Sequence, residues 1–392
     1  MTNPWVMLAI LFFARTSTGY SFQSIGSAGP VIAASLGIDF ALVGTLIGLF
    51  MLPGMVLALP SGLLARHASD RMLIGLGLLL MTLGILVSAM GGDYAVVAAG
   101  RLLTGIGATV TNLYFAKATL EWFAESRHLP LAMAILLNSW PLGIALGLMT
   151  QGDLTLVLGW RGALSISGVA TLAAALLMAL AYREAPGRAV PPAGGVAALR
   201  ALAPREWRDM VLVGLVWGAL NVGLVLVFGF APALLASEGV DLGRAGWLVG
   251  LGTWIGILAI PLGGAIASRT GHSRAVIAVC TFASMPVFVL LAARPDLPFA
   301  YVAFGLVAFA AAGPIMALPQ RFVGAANRAA GMGLLYTIYY VTITVAPAFA
   351  GWLHDGYGPA APIAFGALVM LLSLACQAGL SARPMVSNAA RP

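Results

Sequence analysis

The stretch REAPGRAVPPAGGVAALRALAPREWR, residues 183–208, decides how this chain is organised. It is rich in Arg, Pro, Ala and Gly, and it is the longest interruption in a sequence that otherwise consists of apolar runs. Such a composition is typical of a linker between folded units. We therefore predict an N-terminal unit at 1–182, a cytoplasmic linker at 183–208 and a C-terminal unit at 209–392.

Six apolar runs on each side of this linker are long enough to cross a bilayer, which takes about 20 residues per helix. The chain is 61% hydrophobic and only 8% charged, whereas soluble domains carry about 25% charged residues. Lipid-facing backbone must pair its own polar groups, which favours helices. The sequence predicts an all-α membrane protein, with twelve transmembrane helices in two pseudo-symmetric six-helix bundles. The spans are expected near 4–33, 40–64, 71–91, 94–122, 130–151, 160–182, 209–236, 241–267, 273–293, 297–319, 328–351 and 359–380.

The net charge of +7 has a topological origin. With the N-terminus placed in the cytoplasm, 14 of the 20 Lys and Arg fall in cytoplasmic segments, three in opposite loops and three inside spans. Basic residues concentrate on the cytoplasmic side of membrane proteins, so both termini are predicted to be cytoplasmic. The charge then calls for no nucleic-acid partner, and the arginine-rich usage favours a bacterial inner membrane.

Motifs of soluble enzymes are missing from the sequence. It has no Walker-type phosphate loop, no His-Glu-x-x-His pair and no Cys-x-x-Cys pair. The two cysteines, Cys280 and Cys376, fall in apolar runs, where they act as small packing residues. We expect no enzyme, no cofactor and no metal site.

The two halves repeat one pattern of small residues. The second span carries Gly44, Gly48, Gly62 and Ala65, and each has a small counterpart 202 residues later in the eighth span. Together with the six-plus-six layout, this repeat predicts two related bundles. Parallel repeats of this kind are typical of transporters.

The loop after the second span reads Gly62-Leu-Leu-Ala65-Arg66-His67-Ala68-Ser69-Asp70-Arg71. It resembles the cytoplasmic motif Gly-x-x-Ala-Asp-Arg-x-Gly-Arg-Arg of the major facilitator superfamily, although Arg66 replaces its Asp and Ser69 its second Gly. The resemblance covers essentially the whole chain. The stretches FARTSTGYSFQS (13–24) and NSWPLGIALG (138–147) are similar to the cyanate and 2-nitroimidazole permease-like group.

This resemblance implies the superfamily's fold of two rocking bundles, and a gating role for the loop. In the family the loop makes charged contacts with neighbouring helix ends. The residues expected to serve here are Gly62, Arg66, Asp70, Arg71 and Arg269. Positive-inside topology alone also accounts for these charges.

Two arginines lie deep in apolar spans without a carboxylate beside them. Arg15 is about ten residues into its helix, ~15 Å deep, and Arg101 about seven residues in, ~11 Å. An ionised side chain at that depth costs at least ~2.5–3.5 kcal/mol unless it faces a cavity or a partner. We expect both guanidinium groups to converge on a small anionic substrate; the alternative is that each caps backbone carbonyls.

Further substrate contacts are expected from polar and aromatic residues near the middle of the same spans and of the seventh and eleventh. Lys117, by contrast, is expected to pair with Glu121 one turn away. The additional substrate-binding candidates are Thr18, Phe22, Gln23, Thr104, Asn112, Trp217, Asn221, Tyr336, Tyr339 and Tyr340.

The sequence thus predicts a monomeric secondary transporter that moves a small organic or inorganic anion across the lipid bilayer by alternating access. Two alternatives stay open. A proton-coupled exporter of lipophilic drugs fits the Gly/Pro pattern around Pro141 but not the lack of buried carboxylates. A non-transporting sensor on the same fold would bind ligand without moving it.

Overall fold

The computed structural model describes residues 3–57, 68–124, 126–186, 202–324 and 327–381. Every regular element in those ranges is a helix, so the predicted all-α membrane fold is confirmed. The predicted motif residues Gly62 and Arg66 lie outside the described residues. The helices are α1 Pro4–Leu36, α2 Phe40–Leu49, α3 Leu52–Leu57, α4 Asp70–Met90, α5 Tyr94–Trp122, α6 Leu129–Leu180, α7 Pro204–Ser237, α8 Leu242–Thr270, α9 Ser273–Ala293, α10 Pro298–Ala310, α11 Ala312–Ala317, α12 Pro319–Phe322, α13 Arg328–Tyr357 and α14 Ala361–Gly379.

Helix α6 holds two of the predicted spans in one continuous element. Its 52 residues would extend ~78 Å if straight, more than twice a ~30 Å hydrocarbon core. The chain reverses at Gly159, whose φ of 70° and ψ of 165° suit only glycine. The fifth and sixth spans are therefore joined by this sharp kink and not by a loop.

Prolines divide two other predicted spans into shorter helices. The second span breaks between α2 and α3 just before Pro53, and the tenth breaks into α10, α11 and α12 around Pro314 and Pro319. A proline has no N–H to continue the helical ladder, so breaks at these positions follow from the sequence.

Within the described residues, ten helical segments are long and apolar enough to cross a membrane, and α6 counts once among them. Helix α1 is not in that set, because Arg15 and several Ser, Thr, Gly and Gln residues interrupt its apolar ones. It is packed against α2, α5, α6 and α7, so its polar side chains are largely buried in protein. Adding α1 and counting both passes of α6 gives the twelve predicted spans.

The boundaries predicted for the two bundles and their linker stay predictions. In the described residues, α6 ends at Leu180 and α7 begins at Pro204, five residues before the predicted seventh span. Pro204 suits the first turn of a helix, and the Glu206 carboxylate accepts the N–H of Ala203 at 3.0 Å. Both features lengthen α7 into the predicted linker.

Two pairs of the repeated glycines, Gly44 with Gly246 and Gly48 with Gly250, lie where the first six spans meet the last six. We call the end of the bundle that carries Asn3 and Ser381 the terminal face, and the opposite end the distal face. Gly44 of α2 lies against Pro347 of α13, and Gly246 of α8 lies against Leu148 of α6, both in the distal half. The 202-residue repeat therefore supplies equivalent contacts between the halves.

An acidic side chain joins the two halves at the distal face. The Asp355 carboxylate at the end of α13 accepts the backbone N–H groups of Phe40 at 3.0 Å and Ala41 at 2.9 Å, at the start of α2. The His354 ring stacks on Phe40 with centroids 3.7 Å apart. A negative charge at a helix N-terminus is favourable, so this contact holds the distal face closed.

Candidate functional site

Arg15 is held from one side by two neighbouring helices. Its Nε donates to Asn112 Oδ1 of α5 at 3.2 Å, and Nη1 donates to the carbonyls of Leu136 at 2.9 Å and Leu137 at 3.1 Å on α6. Pro141 explains why one carbonyl is free, since it lacks the N–H that would pair with Leu137 four residues earlier. The side chain is thus fixed near the middle of α1.

The other nitrogen of this guanidinium is unengaged. Arg15 Nη2 donates no hydrogen bond to any residue that the structure describes. The ion pairs of the described ranges likewise involve neither Arg15 nor Arg101. Arg15 therefore keeps both its charge and two N–H donors for an oxygen-rich partner.

Arg101 has a different environment from Arg15. Its guanidinium caps backbone carbonyls, which was the alternative to the expected convergence on a substrate anion. The residue is 1% exposed, and each guanidinium nitrogen donates to a carbonyl: Nε to Leu46 at 3.2 Å, Nη1 to Ser21 at 3.0 Å and Nη2 to Phe22 at 2.7 Å. The charge also lies 4.8 Å from the Phe50 ring centroid. Arg101 joins α5 to α1 and α2, and the two arginines do not converge on one ligand in this conformation.

Three tyrosines of α13 lie near Arg15. The hydroxyl groups of Tyr336, Tyr339 and Tyr340 are all within electrostatic range of its guanidinium. Asn112 lies between the two sides: its Oδ1 accepts from Arg15 Nε, and its side chain lies close to the Tyr340 hydroxyl. A cation from α1 and phenol groups from α13 therefore lie near one another.

Trp217 extends this aromatic surface along α7. Its ring centroid lies 6.2 Å from that of Tyr339, and its Nε1 is buried without a hydrogen-bond partner in the described structure. The Asn221 amide donates to the Trp217 carbonyl at 2.8 Å, so that amide serves the helix locally. Trp217 lies 202 residues after Arg15, the same offset that separates the repeated glycines. The two residues therefore occupy corresponding positions in the first and seventh spans.

Four other predicted substrate residues make contacts within the protein in this structure. Thr104 donates to its own helix at Gly100 and packs against Gly84 of α4, and Thr18 donates to the Arg15 carbonyl. Gln23 donates to the Phe228 carbonyl of α7 at 2.9 Å, so it ties the halves together. Phe22 is 4% exposed and stacks within the first half. Helical spacing predicts which face of its helix a residue lies on. It does not predict whether a cavity or a neighbouring helix covers that face.

The predicted gating residues in the described ranges make contacts within one half. Asp70 is 1% exposed and accepts from Lys117 Nζ at 2.8 Å, and Lys117 also pairs with Glu121 at 2.7 Å, as predicted for that pair. The Arg71 N–H donates to Glu184 at 2.8 Å. Arg269 is exposed in the last turn of α8. Sequence reasoning did not identify the Asp70–Lys117 contact, because 47 residues separate the partners.

No group of His, Cys, Asp and Glu in the described ranges could hold a metal ion. The site built by Arg15, Asn112, Trp217 and the α13 tyrosines consists of one cation and neutral hydrogen-bonding groups. Such a set can bind an anion through charge-assisted hydrogen bonds and pack a flat body on its rings.

Comparison with protein families identifies this architecture. The family model of the Major Facilitator Superfamily matches residues 11–341 and 222–388. Two solved transporters share the fold over 96% of this chain. The nucleoside transporter NupG has a TM-score of 0.77 at 13% identity, and the match covers all of its chain. A bacterial homologue of the human lysosomal transporter Spinster has a TM-score of 0.72 at 15% identity, and the match covers 96% of its chain.

Three curated relatives resemble parts of the chain. A probable L-galactonate transporter of Escherichia coli K12 is 27% identical over 54% of this chain. The matched part is about half (49%) of the length of that relative. A 3-(3-hydroxy-phenyl)propionate transporter of the same organism is 28% identical over 61% of this chain and 59% of its own. A chloramphenicol efflux pump of Mycobacterium tuberculosis H37Rv is 27% identical over 47% of this chain and 45% of its own.

Proposed function

The chain belongs to the Major Facilitator Superfamily of transporters and is not an enzyme, and we propose that its substrate is a small anion, moved by secondary transport with alternating access. The relatives named for L-galactonate and 3-(3-hydroxy-phenyl)propionate handle organic acids, which supports a carboxylate over an inorganic ion. The finer resemblance to the cyanate and 2-nitroimidazole permease-like group stays a prediction.

The single observation that carries this proposal is the half-engaged guanidinium of Arg15. Three donors of the group are anchored on α5 and α6, while Nη2 is unengaged in the described structure and the α13 tyrosines lie near the guanidinium. Anchoring lowers the cost of ordering the side chain when a ligand arrives. A carboxylate would accept hydrogen bonds from Nη2 on one side and from phenol groups on the other.

Arg101 takes a supporting role in this proposal. Its three carbonyl contacts fix α5, which carries Asn112, against α1, which carries Arg15. The substrate would then be bound by one arginine and neutral groups, and not by two arginines.

The contacts between the halves support an alternating-access cycle. Gly44, Gly246 and Asp355 close the distal half, and we infer that the terminal half is the open side of this conformation. With the termini in the cytoplasm, as the distribution of arginines indicates, the open side faces inward. We propose a monomer in a bacterial inner membrane.

Reconstitution tests the proposal. Proteoliposomes would be assayed for uptake of L-galactonate, 3-(3-hydroxyphenyl)propionate and chloramphenicol, with Arg15→Gln beside the wild type. We expect uptake of a carboxylate and a loss of about tenfold or more in the variant, since hydrogen bonds from a charged donor contribute ~1.5–3 kcal/mol. Arg294→Gln is the matched control, because Arg294 pairs with Asp296 in an exposed loop.

A second candidate function is export of lipophilic neutral compounds. The Mycobacterium tuberculosis relative is named as a chloramphenicol efflux pump, and the aromatic side chains of α7 and α13 suit such ligands. This function would be established if chloramphenicol were transported equally by the wild type and Arg15→Gln and if neither acid were transported. The same result would refute the anion proposal.

A further inference from the structure

We propose that Trp217 determines specificity, so that the substrate is an organic anion whose flat or apolar body carries a hydrogen-bond acceptor. The inference rests on the proposed function and adds a second point of recognition. It excludes inorganic anions and formate as preferred substrates, because they are too short to reach beyond Arg15 and its tyrosines.

The first observation is the unpaired indole N–H. Trp217 Nε1 is inaccessible to solvent yet has no acceptor in the described structure. Trp160 Nε1, beside the Gly159 kink of α6, is the other buried indole nitrogen without a partner in the described residues, whereas Trp122 Nε1 donates to Tyr182 and to the Arg183 carbonyl, both at 3.2 Å. A buried donor without an acceptor is unfavourable, and buried indole N–H groups normally find a partner. An acceptor on the substrate would supply the missing hydrogen bond.

The second observation is that the tryptophan is held in place around this donor. Gly214 on α7 packs against Ile338 of α13, and Gly218 packs against Thr342, which brings the two helices close on either side of Trp217. The Asn221 amide fixes the Trp217 carbonyl. Because these contacts hold α7 and the Trp217 ring in place, the indole N–H can distinguish ligands that carry a hydrogen-bond acceptor from ligands that lack one.

The third observation is the order of groups from Arg15 outward. Tyr339 lies within electrostatic range of Arg15, and its ring is 6.2 Å from that of Trp217. A carboxylate on Arg15 would therefore place the attached body against Tyr339 and its far end beside Trp217. Aromatic ring faces pack well against flat or apolar groups, and the donor at the end selects an oxygen or nitrogen acceptor.

The experiment compares three carboxylates on three proteins by isothermal titration calorimetry in detergent. The probes are 3-(3-hydroxyphenyl)propionate, 3-phenylpropionate, which lacks the ring oxygen, and formate. The variants are Trp217→Phe, which keeps an aromatic ring but removes the N–H, and Trp207→Phe, an exposed tryptophan at the start of the same helix. Arg15→Gln is measured alongside.

In the wild type we expect the hydroxylated acid to bind most tightly and formate least. Trp217→Phe should reduce the preference for the hydroxylated acid about three- to tenfold while leaving 3-phenylpropionate nearly unchanged, which is the range for one neutral hydrogen bond. Trp207→Phe should keep the wild-type order.

An unchanged preference in Trp217→Phe, or formate binding as tightly as the aryl acids, would overturn the inference. If Arg15→Gln still abolishes binding in that case, the proposed anion site stands without the tryptophan. Failure of all three acids to bind the wild type would overturn the inference and count against the proposed function as well.

Discussion

At the scale of single residues, the two buried arginines have opposite roles. Arg101 donates to three carbonyls and contacts the Phe50 ring, whereas Arg15 keeps one nitrogen without a partner in the described structure. The contacts of Arg101 connect helices, whereas the unengaged nitrogen of Arg15 leaves its charge for a ligand. Substitution at the two positions should therefore affect different properties.

Arg101→Gln should destabilise the protein without removing the anion site directly. The change leaves carbonyls of α1 and α2 without their charged donor, and the expected cost is about 2–4 kcal/mol. Thermal unfolding in detergent measures it, with Arg294→Gln as the control for loss of one arginine. A variant with wild-type thermal stability but no anion binding would contradict the structural role assigned to Arg101.

The sequence proposed Arg15, Trp217 and the α13 tyrosines as one group, because an uncompensated charge and aromatic residues near mid-span are unusual, and the structure places these residues near one another while their role stays a prediction. The sequence could not distinguish Arg15 from Arg101. That distinction depends on which carbonyls are free nearby, and these come from distant segments: Leu46 near the end of α2 and Leu137 beside Pro141. Thr104 and Gln23 were misplaced for the same reason, since close contacts with α4 and α7 decide their surroundings.

At the scale of helices, Pro141 is part of the site although it contacts no substrate in our account. It removes the N–H that would otherwise occupy the Leu137 carbonyl, and Arg15 uses that carbonyl as an anchor. Pro141 of the fifth span therefore helps to position a charge on the first. Its close packing on α1, where Gly143 meets the Thr16 carbonyl, brings the two groups together.

Pro141→Ala should weaken anion binding about two- to fivefold with little loss of folding stability. The restored N–H competes with Arg15 for the Leu137 carbonyl, so the guanidinium is less well ordered before binding. Calorimetric titration with 3-(3-hydroxyphenyl)propionate measures the effect. Pro286→Ala in α9, remote from Arg15, is the control, and equal affinity in the two variants would refute this anchoring role.

At the scale of the whole molecule, arginines near the start of the third and ninth spans make matching contacts in the two halves. Arg71 at the start of α4 donates to the Ala179 carbonyl near the end of α6, and Arg274 near the start of α9 donates to the carbonyls of Gln377 and Leu380 at the end of α14. In each half the third span thus caps the sixth. The halves differ at the centre, where one supplies Arg15 and the other Trp217.

The glycine contacts between the halves should control which side is open. A Cβ at Gly44 would overlap the Pro347 carbonyl oxygen, so Gly44→Ala should separate α2 from α13 and open the distal face. Gly75→Ala in α4 is the control, because nothing lies within 4 Å of a Cβ there. Spin-label distances between Val157→Cys and Phe299→Cys, in a background with both native cysteines replaced by serine, report the change.

We expect Gly44→Ala to lengthen this distance and Gly75→Ala to leave it unchanged. Both reporter positions are exposed near the distal ends of helices from different halves. Identical distance distributions in the two variants would show that the glycine contacts do not set the conformation.

The central claim is that Arg15 binds a substrate anion, and a thermal-shift panel on the purified protein tests it most directly. The panel compares inorganic anions, mono- and dicarboxylates, organic phosphates, neutral sugars and cationic drugs on the wild type, Arg15→Gln and Arg294→Gln. A ligand at 100 times its Kd stabilises the folded state by ~2.7 kcal/mol, a readily measured shift. We predict stabilisation by carboxylates in the wild type and Arg294→Gln, and its loss in Arg15→Gln. Stabilisation by neutral or cationic compounds alone, unchanged by Arg15→Gln, would contradict the account.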